Sequence, residues 1–562
     1  MKFARKYVAA FFTALLFGSM GLSTSANAGG VIPEYIPYLG LDLRENSELG
    51  RMPSVLYGQI DPNNQSTWYI CNEISDKTCT DASGIFGFSN WDICTESSAV
   101  ACIAEVWATD SAGNKIQGEF VKRVPIDPRY EVKENSEIGL PESKGVGALW
   151  RIPNVLNSAG KDTYFVSTQS VINAQKTAGT PVSKVFLGDL IAGIIPVEEM
   201  SGNFRLLTAS DGRGNPNGAW GSNGTYYAPD RTVCMATDYT ICEATRQFPA
   251  GYRFGLTLRI GAKAEGWFHG RLYLPNITTK EWKSGQEISI EAEPVKVPAL
   301  DFTVPASQIP DPVKKIVFSG LVLGNKGNPN GGLQISENLS GPYTLDLVSA
   351  FAPAYNDKAT TTETYWSFKT LNPGNDQITR ACSDKSGNLA GLVTTNALAY
   401  EAGPPVFDSA TGSLTYKVSS PHFEASGAEA SGSYDLTLRS DVARCVYGFT
   451  KAPIQAEISI TSQDGEKKVA TTIVNEKNGW LYMSAKGFTF SSPIINVKLS
   501  QEKEVVVVPT PTPTPTPIST PTPSVTSKPI AKKSVLITCV KGKVSKKVSG
   551  TNPKCPAGYK KK

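Results

Sequence analysis

Histidine is almost absent from this chain of 562 residues: His269 in GWFHGRL and His422 in SSPHFEASG are the two it has. Their scarcity excludes an HExxH zinc site and any multi-histidine metal centre. A Ser-His-Asp triad would have to form around one of them, and no G-x-S-x-G elbow accompanies either. His269 lies between aromatic neighbours, Trp267 and Phe268 on one side, and reads as a packed strand residue; His422 follows Pro421 and reads as a turn or strand start. A glycosidase needs only two carboxylates. Glu424 and Glu429 in HFEASGAEASG are close in sequence, but the repeated EASG suggests a small-residue loop. Two further words, DGRGNPNG at 211–218 and NKGNPNG at 325–331, echo oxygen-rich ion loops. Calcium takes six to eight oxygens, usually with several carboxylates. The first word has one acid and the second has none, so Asn-Pro-Asn-Gly turns are the expectation. No Walker loop or dinucleotide fingerprint occurs, and no catalytic, metal or cofactor residue is assigned.

Ten cysteines suit an oxidising compartment. Spacing proposes the pairs Cys71/Cys79, Cys94/Cys102 and Cys234/Cys242, each C-x7-C, then Cys539/Cys555, which leaves Cys382 with Cys445. Zinc wants shorter C-x2–4-C spacings than any of these. With every cysteine paired, a thiol nucleophile is not expected.

Aromatic side chains beside Gly/Asn-rich loops are the remaining candidates for contact with a ligand. Trp68-Tyr69, Trp220 with Tyr226-Tyr227, and Trp267 are candidate glycan platforms, against the general rule that tryptophan in a β-sandwich packs in the core.

The elements that would hold these residues are strands. FGLTLRI places Phe254, Leu256, Leu258 and Ile260 on one face, and YDLTLRS, AEISITS and INVKLS repeat the period-two pattern. A helix is expected near Val166–Gly179, in VSTQSVINAQKTAG. Two words recur in order: ENSELG and RMPSVL at 45–56, ENSEIG at 134–139 and RIPNVL at 151–156, which suggests duplicated β units. Asp110-x-x-Gly113-Asn114 and Asp384-x-x-Gly387-Asn388 read as hairpin turns like those of bacterial Ig-like domains. The expected fold is all-β: antiparallel, Ig-like β-sandwich modules stapled by disulfides.

Organisation follows from composition. Lys2, Arg5 and Lys6 precede a short apolar run and an Ala26-Asn27-Ala28 cleavage site, so residues 1–28 read as a secretory signal. An N-terminal β region is expected over 29–300, divided as 29–130 and 131–300. The Pro-rich 294–305 stretch would link it to a C-terminal β region at 301–501. A Pro/Thr-rich linker occupies 502–530 and a basic module 531–562. Alternating proline makes 510–524 extended polyproline II, about 45 Å long at roughly 3.1 Å per residue. The last 32 residues carry ten lysines and no acid, whereas the net charge of the chain is only +4, so the body is acidic.

The tail reads as a hairpin with a Lys-Gly turn, closed by Cys539–Cys555. Its ITCVKGK…NPKCPAGYKKK pattern resembles the C-terminal element of secreted actinobacterial cell-surface proteins that have a Pro/Thr stalk. The preceding 420–501 segment, with GSYDLTLRSDVARCVYGF and GWLYMSAKGFTFSSP, is similar to the β domain that accompanies that element. The resemblance implies export and association with the envelope of a Gram-positive-type cell; it brings no assigned activity or site residue. Lys541, Lys543, Lys546, Lys547, Lys554, Lys560, Lys561 and Lys562 are candidates for binding anionic wall polymers. Nucleic acid is not an expected partner, since Tyr559 is the tail's single aromatic and the compartment is wrong. The expected function is non-catalytic: an exported surface protein, structural, adhesive or ligand-binding. The alternative is a secreted glycoside hydrolase whose carboxylate pair no motif locates.

Overall fold

The computed structural model describes residues 37–501 and 535–561, apart from 46–52, 61–66, 72, 126–129, 207, 211–220, 223–225, 318–324, 328–332, 336–338, 342, 372–375, 462–466, 470–472, 491–492, 542–543 and 551–552. The signal segment 1–28 and the linker 502–530 lie outside the described residues. The chain divides into two units, Met1–Lys503 and Glu504–Lys562.

The large unit is built on a central sheet of unusual length. Its strands run Thr67–Cys71, Val55–Ile60, Gly84–Asn90, Thr163–Gln175, Phe186–Ser201, Ser367–Leu371, Gly266–Arg271, Leu389–Thr395, Ser431–Arg439, Trp480–Thr489 and Ile473–Lys477. Gly266–Arg271 and Leu389–Thr395 pair in parallel. Successive side chains of a strand point to opposite faces, and here both faces are covered. On one, Phe268, Phe368, Leu392 and Trp480 meet an outer sheet ordered Tyr273–Trp282, Gly285–Glu293, Arg253–Ile260, Ala101–Thr109, Lys115–Gln117. Phe254, Leu256, Leu258 and Ile260 all face that interior, as their alternation implies.

On the opposite face Trp267, Val393, Leu436, Leu438 and Met483 pack with Leu414, Tyr416, Val497 and Leu499 of a sheet built on Ser413–Ser419, Ile494–Gln501 and Ile454–Thr461. The same core takes Leu39, Leu41 and Leu43 from an N-terminal sheet in which Tyr38–Leu43 pairs antiparallel with Val295–Pro305. It also takes the apolar faces of the helices Thr344–Phe351 and Ser440–Tyr447.

Five disulfides join the ten cysteines in the expected pairs: Cys71–Cys79, Cys94–Cys102, Cys234–Cys242, Cys382–Cys445 and Cys539–Cys555. In a chain-entropy account the short rings contribute about 2.5 kcal/mol each and the Cys382–Cys445 ring about 4 kcal/mol. Cys79 and Cys102, singled out by spacing, are core residues rather than parts of an accessible site. Cys79 lies in the short helix Lys77–Thr80 and packs, fully buried, with Leu56, Ala82 and Ile85. Cys102 sits in the strand Ala101–Thr109, opposite Arg259, and is buried as well. Each bridge therefore pins a segment to the sheet that its buried cysteine anchors.

Several local expectations are corrected. Thr163–Gln175 is a thirteen-residue strand, not a helix; its polar Ser167, Thr168, Gln169 and Ser170 are all buried, which hides the alternation. The Asp110–Asn114 turn does join two strands, with Asp110 Oδ1 accepting from the amides of Ala112 and Asn114. Its apparent twin ends a helix instead: Gln377–Ser386 is capped by Asp376, and Gly387 takes the left-handed φ of 62° that stops it. The Pro-rich 294–305 stretch, expected as a link, is mostly the strand Val295–Pro305, inside the large unit. The recurring RxPxVL words do not mark equivalent elements: Val55 and Leu56 open a strand, whereas Val155 and Leu156 follow a turn at the end of Gly147–Arg151.

Arg271 ties three of the sheets together. Its guanidinium, 2% exposed, donates to the carbonyls of Thr395, Ala397 and Leu398 and to the Glu45 carboxylate. Thr395 ends a central strand, residue 399 begins a strand of the six-stranded sheet, and Glu45 follows the N-terminal sheet's Tyr38–Leu43. Truncation would leave a buried carboxylate and three carbonyls unpaired. The substitution Arg271→Leu is expected to cost about 3–5 kcal/mol, read as a shift of the urea unfolding midpoint of the full chain; a loss below 1 kcal/mol would contradict this role.

Candidate functional site

The two histidines lie in different surroundings. His269 is buried, stacked on Tyr400 with ring centroids 3.6 Å apart and planes 2° from parallel. Its Nε2 has no hydrogen-bond partner. Burial, with the charges of Arg271 and Lys369, pushes its pKa far down and keeps the ring neutral. His422 Nδ1 lies 2.7 Å from the Phe490 carbonyl, and Nε2 lies 3.4 Å from Glu429 Oε1. Glu424 sits in a tight turn, its carbonyl accepting from Gly427 and its amide donating to Ala428, as the EASG repeat suggested. The cysteines offer no thiol chemistry, since all ten, Cys79 and Cys102 among them, are in disulfides.

The carboxylate arrangement most perturbed from solution is elsewhere. Glu199 and Glu243 face each other across the Phe186–Ser201 and Ile241–Thr245 strands. Burial pushes Glu243 up to about 8, the charge of neighbouring Glu199 adds to this, and Lys122 opposes it. As directly opposed cross-strand residues on one face, the two carboxylates lie side by side, unlike a glycosidase pair that flanks a bond from two sides. Among the described residues no group of three or more His, Cys, Asp or Glu side chains could hold a metal. The 211–218 word lies outside the described residues. Residues 328–331 of the second word also lie outside the described residues; the strands on either side, Asn325–Gly327 and Leu333–Ile335, pair antiparallel.

Two of the six candidate aromatic platforms are core. Trp68 is buried with Tyr57 and Phe88, its ring 5.7 Å from that of Phe86. Trp267 is buried, donates from Nε1 to Ser383 Oγ, and lies against Gly391, where a Cβ would come within 2.2 Å of the indole. Tyr69 is half-buried and Tyr226 packs on the small core around Cys234–Cys242. Tyr227 is 59% exposed. Trp220 lies outside the described residues.

The small unit is a three-stranded sheet, with Val535–Lys541 paired to Val544–Gly550 and to Lys560–Lys561 and closed by Cys539–Cys555. Lys546 and Lys561 register with Cys539, whereas Lys547 registers with Thr538 and Lys560 with Val540. Residues opposite each other share a face, so these lysines are divided between both faces. Lys541 and Lys554 are exposed as well; Lys543 and Lys562 lie outside the described residues.

Strand periodicity also missed a surface groove on the solvent side of the outer sheet. Asn276, Glu291, Gly255, Trp107 and Gln117 are cross-strand partners, one from each strand, and so share that face. Gly255 leaves the middle of the row empty, and the Trp107 indole lies over it; a Cβ there would come within 2.0 Å of the ring. Trp107 Nε1 and Thr109 Oγ1 both donate to Glu291 Oε1, at 3.1 and 2.6 Å. Burial raises the pKa of Glu291, but these bonds and the Arg253 charge outweigh it and hold the carboxyl below its ordinary value. Trp107, Lys115, Asn276, Thr278, Ser289 and Glu291 line a groove of about 230 Å³. The signal in the sequence was a glycine in register with a tryptophan on the polar side of FGLTLRI.

Two buried groups give opposite pH dependences. The folded state binds the Glu243 proton up to about pH 8 and the unfolded state only to about 4.5, so this stability is lost as pH rises through 8. Glu243→Gln is therefore expected to raise the urea midpoint relative to the parent at pH 8.5 but not at pH 4. His269 behaves in the opposite sense: the unfolded state takes its proton below about 6.5 and the folded state does not. Stability from this residue falls as pH drops below 6.5, and His269→Phe should flatten that limb of the midpoint-versus-pH curve. Unchanged slopes in both variants would refute the assignments. No protein-family model, curated protein or solved structure matches the chain.

Proposed function

We propose that this is an exported, envelope-associated surface protein without a catalytic role, whose body captures a ligand and whose basic tail attaches to anionic wall polymers. The observation that carries it is the small unit. A disulfide-closed sheet of minimal core presents lysines on both faces, and the 531–562 segment has no acid to neutralise them. Lysines on two faces suit a flexible polyanion that wraps a module better than a flat partner that docks on one side. Export is supported by the reading of residues 1–28 as a signal and by five disulfides, which persist in oxidising compartments. Among the described residues no helix is long and apolar enough to cross a membrane. The 502–530 run serves as a stalk between body and tail. The Ig-like description of the body rests on the Asp110–Asn114 hairpin and the packed antiparallel sheets.

The test is sedimentation of the full mature chain with isolated actinobacterial cell walls. Pelleting is expected to fall steeply as ionic strength rises, because exposed charges are screened beyond about 10 Å at 0.1 M salt. It should also be lost when Lys546, Lys547, Lys560 and Lys561 are replaced by glutamine, or when 531–562 is removed. Equal pelleting of parent and both variants would refute the attachment; absence of pelleting in all three would make the tail a solubilising appendage.

A further inference from the structure

We propose that the groove on the outer sheet binds one ring of a neutral, hydroxyl-rich saccharide, with Trp107 as its stacking floor. The proposal rests on the reading of the body as a ligand-capturing surface and names the site and the ligand class.

The floor is built rather than incidental. The missing side chain of Gly255 lets the indole lie across the sheet, and the bond from Nε1 to Glu291 fixes its rotation. A flat aromatic face parallel to a sheet offers the apolar patch that the C–H face of a sugar ring needs. The Lys115 ammonium lies over that indole, 4.1 Å from the ring centroid, and Trp107 is 6% exposed. Lys115 is tethered there by Glu105 at 2.6 Å, with both side chains substantially open to solvent. Such an exposed pair contributes little, so an incoming ring can displace it.

The walls offer donors and acceptors together, as a polyol requires. Asn276 has an amide, Thr278 and Ser289 have hydroxyls, and Glu291 has a carboxylate. Three of these are held in place before any ligand arrives. The Tyr482 hydroxyl lies 3.2 Å from Asn276 Oδ1. Ser289 Oγ shares a 2.7 Å hydrogen bond with Thr257 Oγ1. Glu291 is fixed by Trp107, Thr109 and Arg253. Preorganisation of this kind lowers the cost of binding.

Charge and size narrow the ligand. The two charged residues that line the groove, Lys115 and Glu291, are opposite in sign, so the lining has no surplus charge for an ionic ligand. Its ≈ 230 Å³ is smaller than the roughly 300–1,000 Å³ of pockets that enclose whole drug-sized ligands. One ring fits, with the rest of a longer chain lying across the sheet.

The experiment uses the full mature chain on an array of neutral and anionic oligosaccharides, at high salt to silence the tail, followed by saturation-transfer NMR with the neutral monosaccharide glycosides of the hits. The expected result is binding of neutral glycans, with ring protons saturated most strongly. Lys115→Ala, which uncovers the indole, should tighten binding several-fold. Thr278→Arg, which fills the groove from an exterior position, should weaken it at least about tenfold, as loss of a stacked contact and its hydrogen bonds implies. Trp107→Ala should act in the same direction where circular dichroism shows that it folds. The proposal is overturned if neutral glycans bind neither the parent nor Lys115→Ala, if Thr278→Arg binds as the parent does, or if anionic glycans alone bind. Tail-dependent pelleting on cell walls is read separately, so failure of the groove leaves the attachment standing and the reverse also holds.

Discussion

One buried guanidinium connects the layers of the large unit. Arg271 is taken out of water with its charge intact, a state tolerated only when the charge and every donor are answered. Glu45 answers the charge, and the carbonyls of Thr395, Ala397 and Leu398 take the donors. Those carbonyls lie at the end of the central strand Leu389–Thr395 and on the chain that crosses from it to the six-stranded sheet. The residues two and four before Arg271, His269 and Trp267, point to the same core. Burial, with the nearby charges of Arg271 and Lys369, keeps His269 neutral there, and it lies flat on Tyr400. The sequence GWFHGR therefore encodes a strand buried on both faces, whose polar members are structural.

That double burial explains which features were legible in the sequence. The outer sheet has one wet face, and its strands announce themselves: Phe254, Leu256, Leu258 and Ile260 alternate with Gly255, Thr257 and Arg259, and all four apolar residues are core. The cysteine pairs were legible because three of them share one short spacing, which leaves few alternatives. What spacing did not reveal is that Cys79 and Cys102 sit in the packed interior, because burial is decided by the sheets around them. Thr163–Gln175 was not legible, since strands covered on both sides lose the polar–apolar period, and its buried Ser-Thr-Gln-Ser run imitates a helix surface. The Gly387 word failed for another reason: Gly-Asn suits a hairpin turn and a helix C-terminus equally, because both require a left-handed residue.

The candidate surface was legible only in hindsight. Aromatics beside Gly/Asn-rich words were the obvious platforms, yet Trp68 and Trp267 are large enough that a β-sandwich uses them as filling. Trp107 sits in an ordinary-looking WATD, and what distinguishes it is a glycine nearly 150 residues away in register on the next strand. Cross-strand registers of that kind are set by tertiary pairing and leave no mark in a local window. With two histidines and every cysteine in a disulfide, carboxylates are the remaining candidates for chemistry. The Glu199–Glu243 pair has a shifted proton, but the two groups lie side by side on one face rather than on opposite sides of a glycosidic bond.

In the proposed account, body and tail are two binding surfaces of different physics on one chain, the first shaped and preorganised, the second charged and tolerant of a flexible partner. Hydrogen–deuterium exchange of the full mature chain, with and without solubilised cell-wall fragments, tests that division most directly. Slowed exchange confined to the outer-sheet segments 101–117 and 273–293 and to the tail sheet 535–561 is the predicted result, with the buried strand Gly266–Arg271 unchanged. Protection centred elsewhere, such as the Cys234–Cys242 hairpin, or no protection in either region, would contradict it.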